Sequence, residues 1–539
     1  MTADGAILGA QIRTLDARRP RASAVAWRHG RITIVGDDAE VREACDRSTE
    51  LLDGRGLTVT PGLVDAHQHP LFIEQTRGAD LTRCGTLAQV QAALVAERAA
   101  RHDGDWVLGW GLEYGVYGDG AISGESIETC VDGAPALLTF MDQHTAVATT
   151  AALERSGLRG GESFAEGAAV VVANGAPTGE LREFAAMARV RAVIPALSAR
   201  DRRSRAAAFL RRLNGLGIAG VHVMNGDADD YNLVAELEAA GELSARLIVP
   251  VWVTPDMSDS EMEALLALRR ECGRRWRGGV AKFFIDGVVE TGTAWLEEPD
   301  TEGRGQHPNW PDPQRYVDVI CRFAEAGFPS ITHAIGDRAV RAALDAYRAA
   351  GQVARGPHRV EHIETMRDSQ LPRFAAQGVA ASQQAIHLQW MRSDLSDPWS
   401  RSLGPELSGR GFRLGDIRRS GAILALGSDW PVAGYDPPSG NGLGAAATGA
   451  GQPRPARLRR RRTVPDATGG AGGLHHGGRT GGLRGRHLGP HRPRHARRPD
   501  RVRRRPGGVR RRRPARPAGH ADRGRRAGRP PRLTRSNGV

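Results

Sequence analysis

The chain has 539 residues and a net charge of +14, from 75 Lys or Arg against 61 Asp or Glu. Its 5 cysteines are scattered without metal-ligand spacing, which argues against a cysteine metal site and indicates a reducing compartment. No charged leader with an apolar core opens the chain and no apolar stretch could cross a membrane, so we expect a cytoplasmic location.

The first predicted unit, residues 1–59, is the N-terminal part of a small β domain. Residues 24–36 alternate between apolar and polar side chains and turn at His29-Gly30, which predicts a β-hairpin. Residues 3–15 and 50–59 would join the hairpin in one domain.

The strongest site motif is Thr60-Pro-Gly-Leu-Val-Asp-Ala-His-Gln-His-Pro70. His67 and His69 are two residues apart, so on an extended strand they project to the same face. Two imidazoles at a strand end make half of a metal site. A lone His-X-His pair can arise by chance, but here it follows a Pro-Gly turn and an apolar strand.

Residues 71–215 form a long predicted insertion after this strand. It contains an aromatic-rich segment with Trp106, Trp110, Glu113, Tyr114 and Tyr117. These residues could line a substrate pocket or could pack the insertion, and the sequence leaves both alternatives open.

Lys282 is the single lysine of the chain and lies in the apolar run Val280-Ala-Lys-Phe-Phe-Ile-Asp-Gly287. A buried lysine can lose its proton, which an arginine does not do. A neutral amine can add carbon dioxide to become a carbamate, a carboxylate able to bridge two metal ions. Chance survival of one lysine is the alternative.

Three further candidates lie beyond Lys282. His333 and His362 end the runs Ser330-Ile-Thr-His333 and Arg359-Val-Glu-His362, and Asp429 follows the apolar run Ile423-Leu-Ala-Leu-Gly427. Each histidine alone could be an ordinary core residue, and Asp429 could instead cap a helix.

The predicted buried strands place these candidate residues in one common site. Eight strands are predicted, near residues 62–67, 218–224, 246–253, 280–285, 329–333, 358–362, 378–383 and 422–428. Helical segments separate most of them, including 205–215, 260–272, 315–327 and 338–350. This alternation predicts a (β/α)₈ TIM-type barrel over residues 60–440, with polar groups gathered at the carboxyl ends of its strands.

The motifs resemble the amidohydrolase superfamily, in the branch called amidohydrolase family 3, which includes N-substituted formamide deformylases. The resemblance implies that His67 and His69 hold one metal and that His333 and His362 hold a second. It further implies that a CO₂-derived carbamate on Lys282 bridges the two metals. Asp429 would be both a metal ligand and the catalytic general base.

The chemistry implied is hydrolysis of a non-peptide carbon–nitrogen bond, in which metal-bound hydroxide attacks a carbonyl. The ligands suit two zinc ions, although manganese or iron would also be compatible. Family members place a histidine near the substrate in the motif that contains His144, and Trp110 and Glu113 are further candidates for substrate contact. Glu113 stands where the family usually has Asp, so specificity is not carried over. His222 has no ligand partner in this scheme and is predicted to be structural.

From about residue 441 the composition changes abruptly. Residues 441–539 contain 28 Arg, 3 Asp and neither Lys nor Glu, a net charge of +25 that leaves −11 for residues 1–440. Read as written, this tail would be a disordered polycation that binds polyanions nonspecifically. In another reading frame, 474–480 and 495–506 can encode family-like segments. We therefore predict a frameshift around residues 436–455, which would leave the small β-sandwich domain incomplete; resequencing the gene tests this.

Two alternatives stay open beside the binuclear hydrolase. One is a mononuclear deaminase of the same superfamily, which would have no use for Lys282. The other is an inactive product whose basic tail dominates its behaviour. We expect a small-molecule amide-type substrate, no specific nucleic acid and no membrane partner, and we leave a homo-oligomer open.

Overall fold

The computed structural model describes residues 2–102, 104–118, 120–164 and 168–435. Two small sheets come first, with strand orders β5-β4-β1-β6 and β3-β2-β7. Their elements are β1 (Gly5–Leu8), β2 (Gln11–Arg13), β3 (Arg21–Ala22), β4 (Ala24–Arg28), β5 (Arg31–Gly36), α1 (Asp38–Arg42), β6 (Glu50–Asp53) and β7 (Thr58–Val59). The predicted hairpin is confirmed, because β4 and β5 pair antiparallel across His29 and Gly30, which both have positive φ.

The next strand, β8 (Leu63–Gln68), precedes a six-stranded sheet of order β13-β14-β12-β11-β10-β9. The elements of this insertion are β9 (Ala79–Asp80), α2 (Leu87–Ala99), β10 (Val107–Leu112), α3 (Glu125–Glu128), β11 (Ala136–Phe140), β12 (Thr145–Ala148), α4 (Thr150–Ser156), β13 (Ala169–Ala173), β14 (Ala176–Arg182) and α5 (Glu183–Arg191). Successive residues of β10 enter different apolar clusters, Val107 in one and Leu108 in the other. Because side chains alternate along a strand, both faces of this sheet are buried.

Parallel strands make up the remaining sheets, of order β18-β16-β15-β8 and β17-β19-β20-β21-β22-β23. The strands are β15 (Ile218–Val223), β16 (Arg246–Ile248), β17 (Val251–Trp252), β18 (Trp276–Arg277), β19 (Ala281–Phe284), β20 (Ser330–Ala334), β21 (Arg359–His362), β22 (Ala380–Gln383) and β23 (Leu424–Leu426). The helices are α6 (Ala199–Gly215), α7 (Ala228–Ala239), α8 (Asp259–Ala267), α9 (Pro313–Glu325), α10 (Asp337–Ala350), α11 (Leu371–Gln377), α12 (Pro398–Ser408) and α13 (Leu414–Arg419). Short 3₁₀ helices cover Tyr114–Tyr117, Thr129–Val131, Leu268–Arg270, Asp368–Gln370 and Ala385–Trp390.

Each of the eight predicted strand regions contains a parallel strand, and the predicted α/β class is confirmed. The third region is split into β16 and β17, which belong to different sheets. The described strands therefore form two parallel sheets and not one closed sheet. Backbone hydrogen bonds nevertheless join the first and last strand ends, from Asp429 N to His67 O at 2.7 Å and from His69 N to Trp430 O at 2.8 Å.

Helix α10 shows how sequence spacing produces the layer outside the strands. Its buried residues include Ala339, Val340, Ala343, Leu344 and Tyr347, spaced by three or four positions so that they share one face. That face packs in the same apolar cluster as Ala334 of β20. The helix starts directly after the strand and holds the strand's carboxyl end in place.

The predicted division at residues 60 and 440 stays a prediction, as does the completeness of the small β domain. The predicted out-of-frame or disordered tail, residues 441–539, lies outside the described residues. Among the described residues, no helix combines the length and apolar character that crossing a membrane requires.

Candidate metal centre

Six residues predicted from the sequence as metal ligands are brought to one end of the parallel strands. They are His67 in β8, His69 just after it, Lys282 in β19, His333 in β20, His362 in β21 and Asp429 shortly after β23. All six side chains are buried. Parallel strands end at a common face, so side chains from distant parts of the sequence meet there.

Asp429 lies close to the imidazoles of three other predicted ligands. Its Oδ1 is 3.1 Å from Nε2 of His67 and 3.3 Å from Nε2 of His69, and its Oδ2 is 3.8 Å from Nδ1 of His362. Burial opposes the charged form of this carboxyl, but the neighbouring histidines, His67 first, hold its pKa well below the usual range. One ligand atom each from His67, His362 and Asp429 lie within 4.8 Å of one another, a spacing that one cation could bridge.

The orientation of His67 is set by Glu361. Nδ1 of His67 lies 2.6 Å from Oε2 of Glu361, so the ring donates a hydrogen bond from Nδ1 and turns Nε2 toward Asp429. Burial opposes the charged ring, but Asp429 and Glu361 raise the pKa of His67. Arg359 donates a hydrogen bond to the other carboxylate oxygen. Although burial opposes ionisation, Arg359 and then His67 lower the pKa of Glu361 to about 2. The His67 ring is therefore held by a permanently charged carboxylate.

The predicted structural role of His222 agrees with its contacts. Its Nδ1 lies 2.7 Å from the guanidinium of Arg359 and accepts a hydrogen bond from it. Burial, assisted by the charge of Arg359, lowers the pKa of His222 to about 3. The neutral ring thus completes a chain from His222 through Arg359 and Glu361 to His67.

The other histidines are neutral, which is the form that a metal needs. Burial lowers the pKa of His69, and lowers those of His333 and His362 well below the ordinary value. Nε2 of His333 donates to the carbonyl oxygen of Gly287 at 3.1 Å and leaves Nδ1 with its lone pair. In His69 and His362, Nδ1 is buried and has no hydrogen-bond partner in the part of the chain that the structure describes.

Lys282 is buried with 1% of its surface exposed, and its Nζ has no hydrogen-bond partner among the described residues. The ammonium lies 4.6 Å from the ring centroid of Phe284. Burial lowers the pKa of Lys282 to about 8. This shift increases the neutral fraction near neutral pH, and that fraction is the form that can react with carbon dioxide.

These residues fit a divalent metal. A buried polar atom without a partner costs roughly 1–3 kcal/mol. Three such atoms belong to predicted ligands, Nδ1 of His69, Nζ of Lys282 and Nδ1 of His362, and the last of them lies 3.8 Å from Asp429. Binding of a cation by imidazole nitrogens and carboxylate oxygens would offset that cost, and this donor set suits zinc, with manganese or iron also compatible.

A cavity of about 670 Å³ opens over the metal centre. Its wall includes Glu113 and His144, two of the residues predicted for substrate contact. Trp110 is not among the residues that line the cavity, and its predicted substrate-binding role stays a prediction. Its buried ring packs edge-on against Trp430, with 5.9 Å between ring centroids, because its side chain points from β10 into the core.

His144 is ion-paired beside the cavity. Its Nδ1 lies 2.8 Å from Oε2 of Glu183. Burial disfavours the charged ring, but Glu183 outweighs it and raises the pKa of His144 to about 9. The cavity wall therefore carries a fixed cationic donor close to His333, whose ring centroid is 6.5 Å away.

The sequence analysis missed two residues of the site, Glu361 and His387. Glu361 immediately precedes a predicted ligand, and a carboxylate inside a buried strand is a signal that could have found it. His387 follows β22. The sequence analysis predicted a ligand on or after each of β19, β20, β21 and β23, but none for β22. A histidine in the first turn after a barrel strand was the available signal.

Comparisons with known proteins agree with this geometry. A model of the Amidohydrolase family matches residues 50–467, which extends into the residues we predict to be out of frame. The chain is 26% identical over 462 residues to Protein LONG AFTER FAR-RED 3 of Arabidopsis thaliana, covering 81% of this chain and 77% of that protein. It is also 26% identical over 462 residues to the N-substituted formamide deformylase of Arthrobacter pascens, covering 80% and 81% respectively. An uncharacterized metal-dependent hydrolase from Pyrococcus furiosus has a similar solved structure, with a TM-score of 0.62 and 25% identity over 80% of this chain and 86% of that one.

The family match covers well over half of the chain and confirms the resemblance inferred from the motifs. Membership implies an α/β fold of the TIM-barrel type, an enzyme with a small-molecule substrate, and a divalent metal. The chain therefore belongs to the Amidohydrolase family.

Proposed function

We propose that this amidohydrolase hydrolyses a non-peptide carbon–nitrogen bond in a small amide, with Asp429 as the general base. The observation that carries the proposal is the position of Asp429, whose carboxylate lies at the cavity, 3.1–3.8 Å from the imidazoles of three other predicted ligands. A buried, ionised carboxylate beside neutral metal-binding histidines combines a cation site with a proton acceptor.

The ligand roles are those that the family resemblance implies. His67 and His69 would hold one metal, and His333 and His362 a second. Lys282, once carbamylated, would supply the bridging carboxylate, and Asp429 would complete the set. When bound, a divalent cation supplies Lewis acidity, which lowers the pKa of water toward neutrality and polarises a carbonyl oxygen.

The chain's own residues account for the proton transfers. The ionised Asp429 takes a proton from the attacking water as the new carbon–oxygen bond forms. It then gives that proton to the departing nitrogen as the carbon–nitrogen bond breaks. Water and amide are consumed, and a carboxylic acid and an amine are released. Glu361 accepts the hydrogen bond from Nδ1 of His67, so Nε2 is the nitrogen that would bind a metal.

The substrate class is supported by the cavity and by the relatives. A volume of about 670 Å³ suits a small molecule. Glu113 and His144 would contact it, with the cationic His144 placed to donate a hydrogen bond. Similarity to a protein named for deformylating N-substituted formamides makes formamides the first compounds to test.

A mononuclear deaminase remains the second candidate, because His67, His362 and Asp429 alone form a compact three-ligand group. That enzyme would bind one metal and would be indifferent to Lys282. The third candidate, an inactive product dominated by its basic tail, would bind no metal and would not unfold cooperatively.

The proposal is tested on the purified full-length chain with formanilide, acetanilide and hydantoin as probes. We expect metal-dependent release of aniline from an anilide or ring opening of hydantoin to the ureido acid, abolished by a chelator and restored by zinc or manganese. Asp429→Asn should lower kcat by about 10²–10⁴-fold, the usual range for loss of a general base. Asp394→Asn, at an exposed carboxylate, is the matched control. Activity that survives both the chelator and Asp429→Asn would refute the mechanism.

A further inference from the structure

His387 is buried against the metal centre but has no role in the mechanism above. It lies in the 3₁₀ helix Ala385–Trp390 that follows β22, and only 8% of its surface is exposed. Its side chain lines the cavity. Its ring packs on Trp390, with 5.0 Å between ring centroids, and lies nearly parallel to His362 at 6.4 Å.

The two oxygens of Asp429 face different partners. Oδ1 faces Nε2 of His67 and of His69, whereas Oδ2 faces His362 and lies 3.7 Å from Nε2 of His387. That last separation is too long for a hydrogen bond. Nε2 of His387 accordingly has no hydrogen-bond partner in the described ranges, although it is buried. With a hydrogen on Nε2, the ring can donate a hydrogen bond toward the space that it faces.

A second carboxylate positions the His387 ring from its other side. Oε1 of Glu364 lies 3.9 Å from Nδ1 of His387. Oε2 of Glu364 accepts a hydrogen bond of 2.6 Å from the indole of Trp399, a residue of α12. Trp399 packs in turn on Phe412, with 5.7 Å between ring centroids. The packed indole fixes Glu364, and Glu364 faces the ring of His387.

We propose that His387 is a further catalytic residue, whose Nε2–H donates a hydrogen bond to the scissile carbonyl oxygen as negative charge develops there. Glu364 is the residue that positions its ring. Asp429 and His387 both line the cavity, so a substrate amide held over Asp429 would lie beside the unpartnered Nε2. A preplaced donor at such a point stabilises the transition state more than the ground state. This inference rests on the proposed amide hydrolysis.

The test uses full-length His387→Ala and His387→Gln, with His307→Ala as a control at an exposed histidine. Each protein is assayed for metal content per chain, thermal unfolding, and kcat and KM with the probe amide that the wild-type chain hydrolyses fastest. We expect His387→Ala to lower kcat by about 10²–10³-fold, the typical cost of removing one such donor. KM and metal content should stay close to wild type, because the interaction is made in the transition state and not with the metal.

Two comparisons separate catalysis from a structural or metal-binding role. His387→Gln keeps an N–H donor and should recover part of the lost kcat. Glu364→Gln keeps its hydrogen bond from Trp399 and should cost less than His387→Ala. Loss of metal from folded His387→Ala, or a kcat within about threefold of wild type, would overturn the inference. A wild-type chain that binds no metal and hydrolyses no probe would instead refute the proposed function.

Discussion

Glu361 and His67 form a buried pair between strands of different sheets, with 2.6 Å between Oε2 of Glu361 and Nδ1 of His67. The carboxylate cannot bind the same metal through that oxygen while it accepts the imidazole hydrogen. It instead fixes which nitrogen of His67 is available. This pair therefore links the affinity of the metal centre to a residue outside the ligand set.

We expect Glu361→Gln to lower metal affinity by about 10–100-fold, the usual effect of losing a carboxylate that orients a ligating histidine. Zinc titration with a competing chelator measures this directly. Glu325→Gln, at an exposed glutamate of α9, should bind zinc as the wild type does. Equal affinities for Glu361→Gln and wild type would show that the pair does not support the site.

Lys282 distinguishes the binuclear from the mononuclear arrangement. We expect about two metals per chain in the wild type and fewer than one in Lys282→Ala, because the bridging carboxylate is lost. Elemental analysis after reconstitution measures the ratio. Reconstitution of the wild-type chain in carbon dioxide-depleted buffer should also give fewer metals per chain. Addition of bicarbonate should then restore the metal content to about two per chain. One metal in both proteins would favour the deaminase alternative.

The His144–Glu183 pair predicts a dependence of stability on pH. Glu183 raises the pKa of His144 from 6.5 to about 9 in the folded chain, against the effect of burial. Between these two pKa values the folded chain binds more protons than the unfolded chain. The stabilisation that the His144–Glu183 pair gives to the folded chain is therefore complete below pH 6.5 and is lost as the pH rises through about 9. Its upper bound is about 3 kcal/mol, since one pKa unit corresponds to about 1.36 kcal/mol.

The measurement is the unfolding free energy of wild type and His144→Gln at pH values below and above this window. The advantage of the wild type should shrink as the pH rises, whereas His307→Gln should show no such trend. An advantage that stays constant across the window would contradict the raised pKa.

Phe209 supports the segment that carries Asp429. Its ring stacks on Trp430 with 4.0 Å between ring centroids, and the carbonyl of Trp430 accepts a hydrogen bond from His69. Phe209→Ala should destabilise the chain by about 3–5 kcal/mol, as expected for a large-to-small change in a core. Phe209→Leu should cost less, and Ile423→Ala, which is 57% exposed, should change stability by under about 0.5 kcal/mol. Denaturant unfolding checks all three, and a near-neutral Phe209→Ala would show that this stack is dispensable.

Much of the site could be predicted from local patterns. Apolar runs that end in a histidine or an aspartate mark strand ends, and the eight runs predicted from the sequence coincide with strands of the parallel sheets. The split of the third strand into β16 and β17 falls at Pro250, which cannot donate a backbone hydrogen bond within a sheet, and the sequence analysis did not use that signal. Trp110 was ambiguous, since an aromatic residue in a buried strand can face a cavity or a core.

The sequence by itself determined which side chains are available at the strand ends: histidines, one lysine, and one aspartate after the last strand. Those side chains depend only on local composition and spacing. The tertiary structure decided which atoms meet. It placed Glu361 on Nδ1 of His67, turned Trp110 onto Trp430, and set Nε2 of His387 opposite Asp429. Such pairings depend on distances between segments far apart in the chain, and those distances exist only once the parallel strands have assembled.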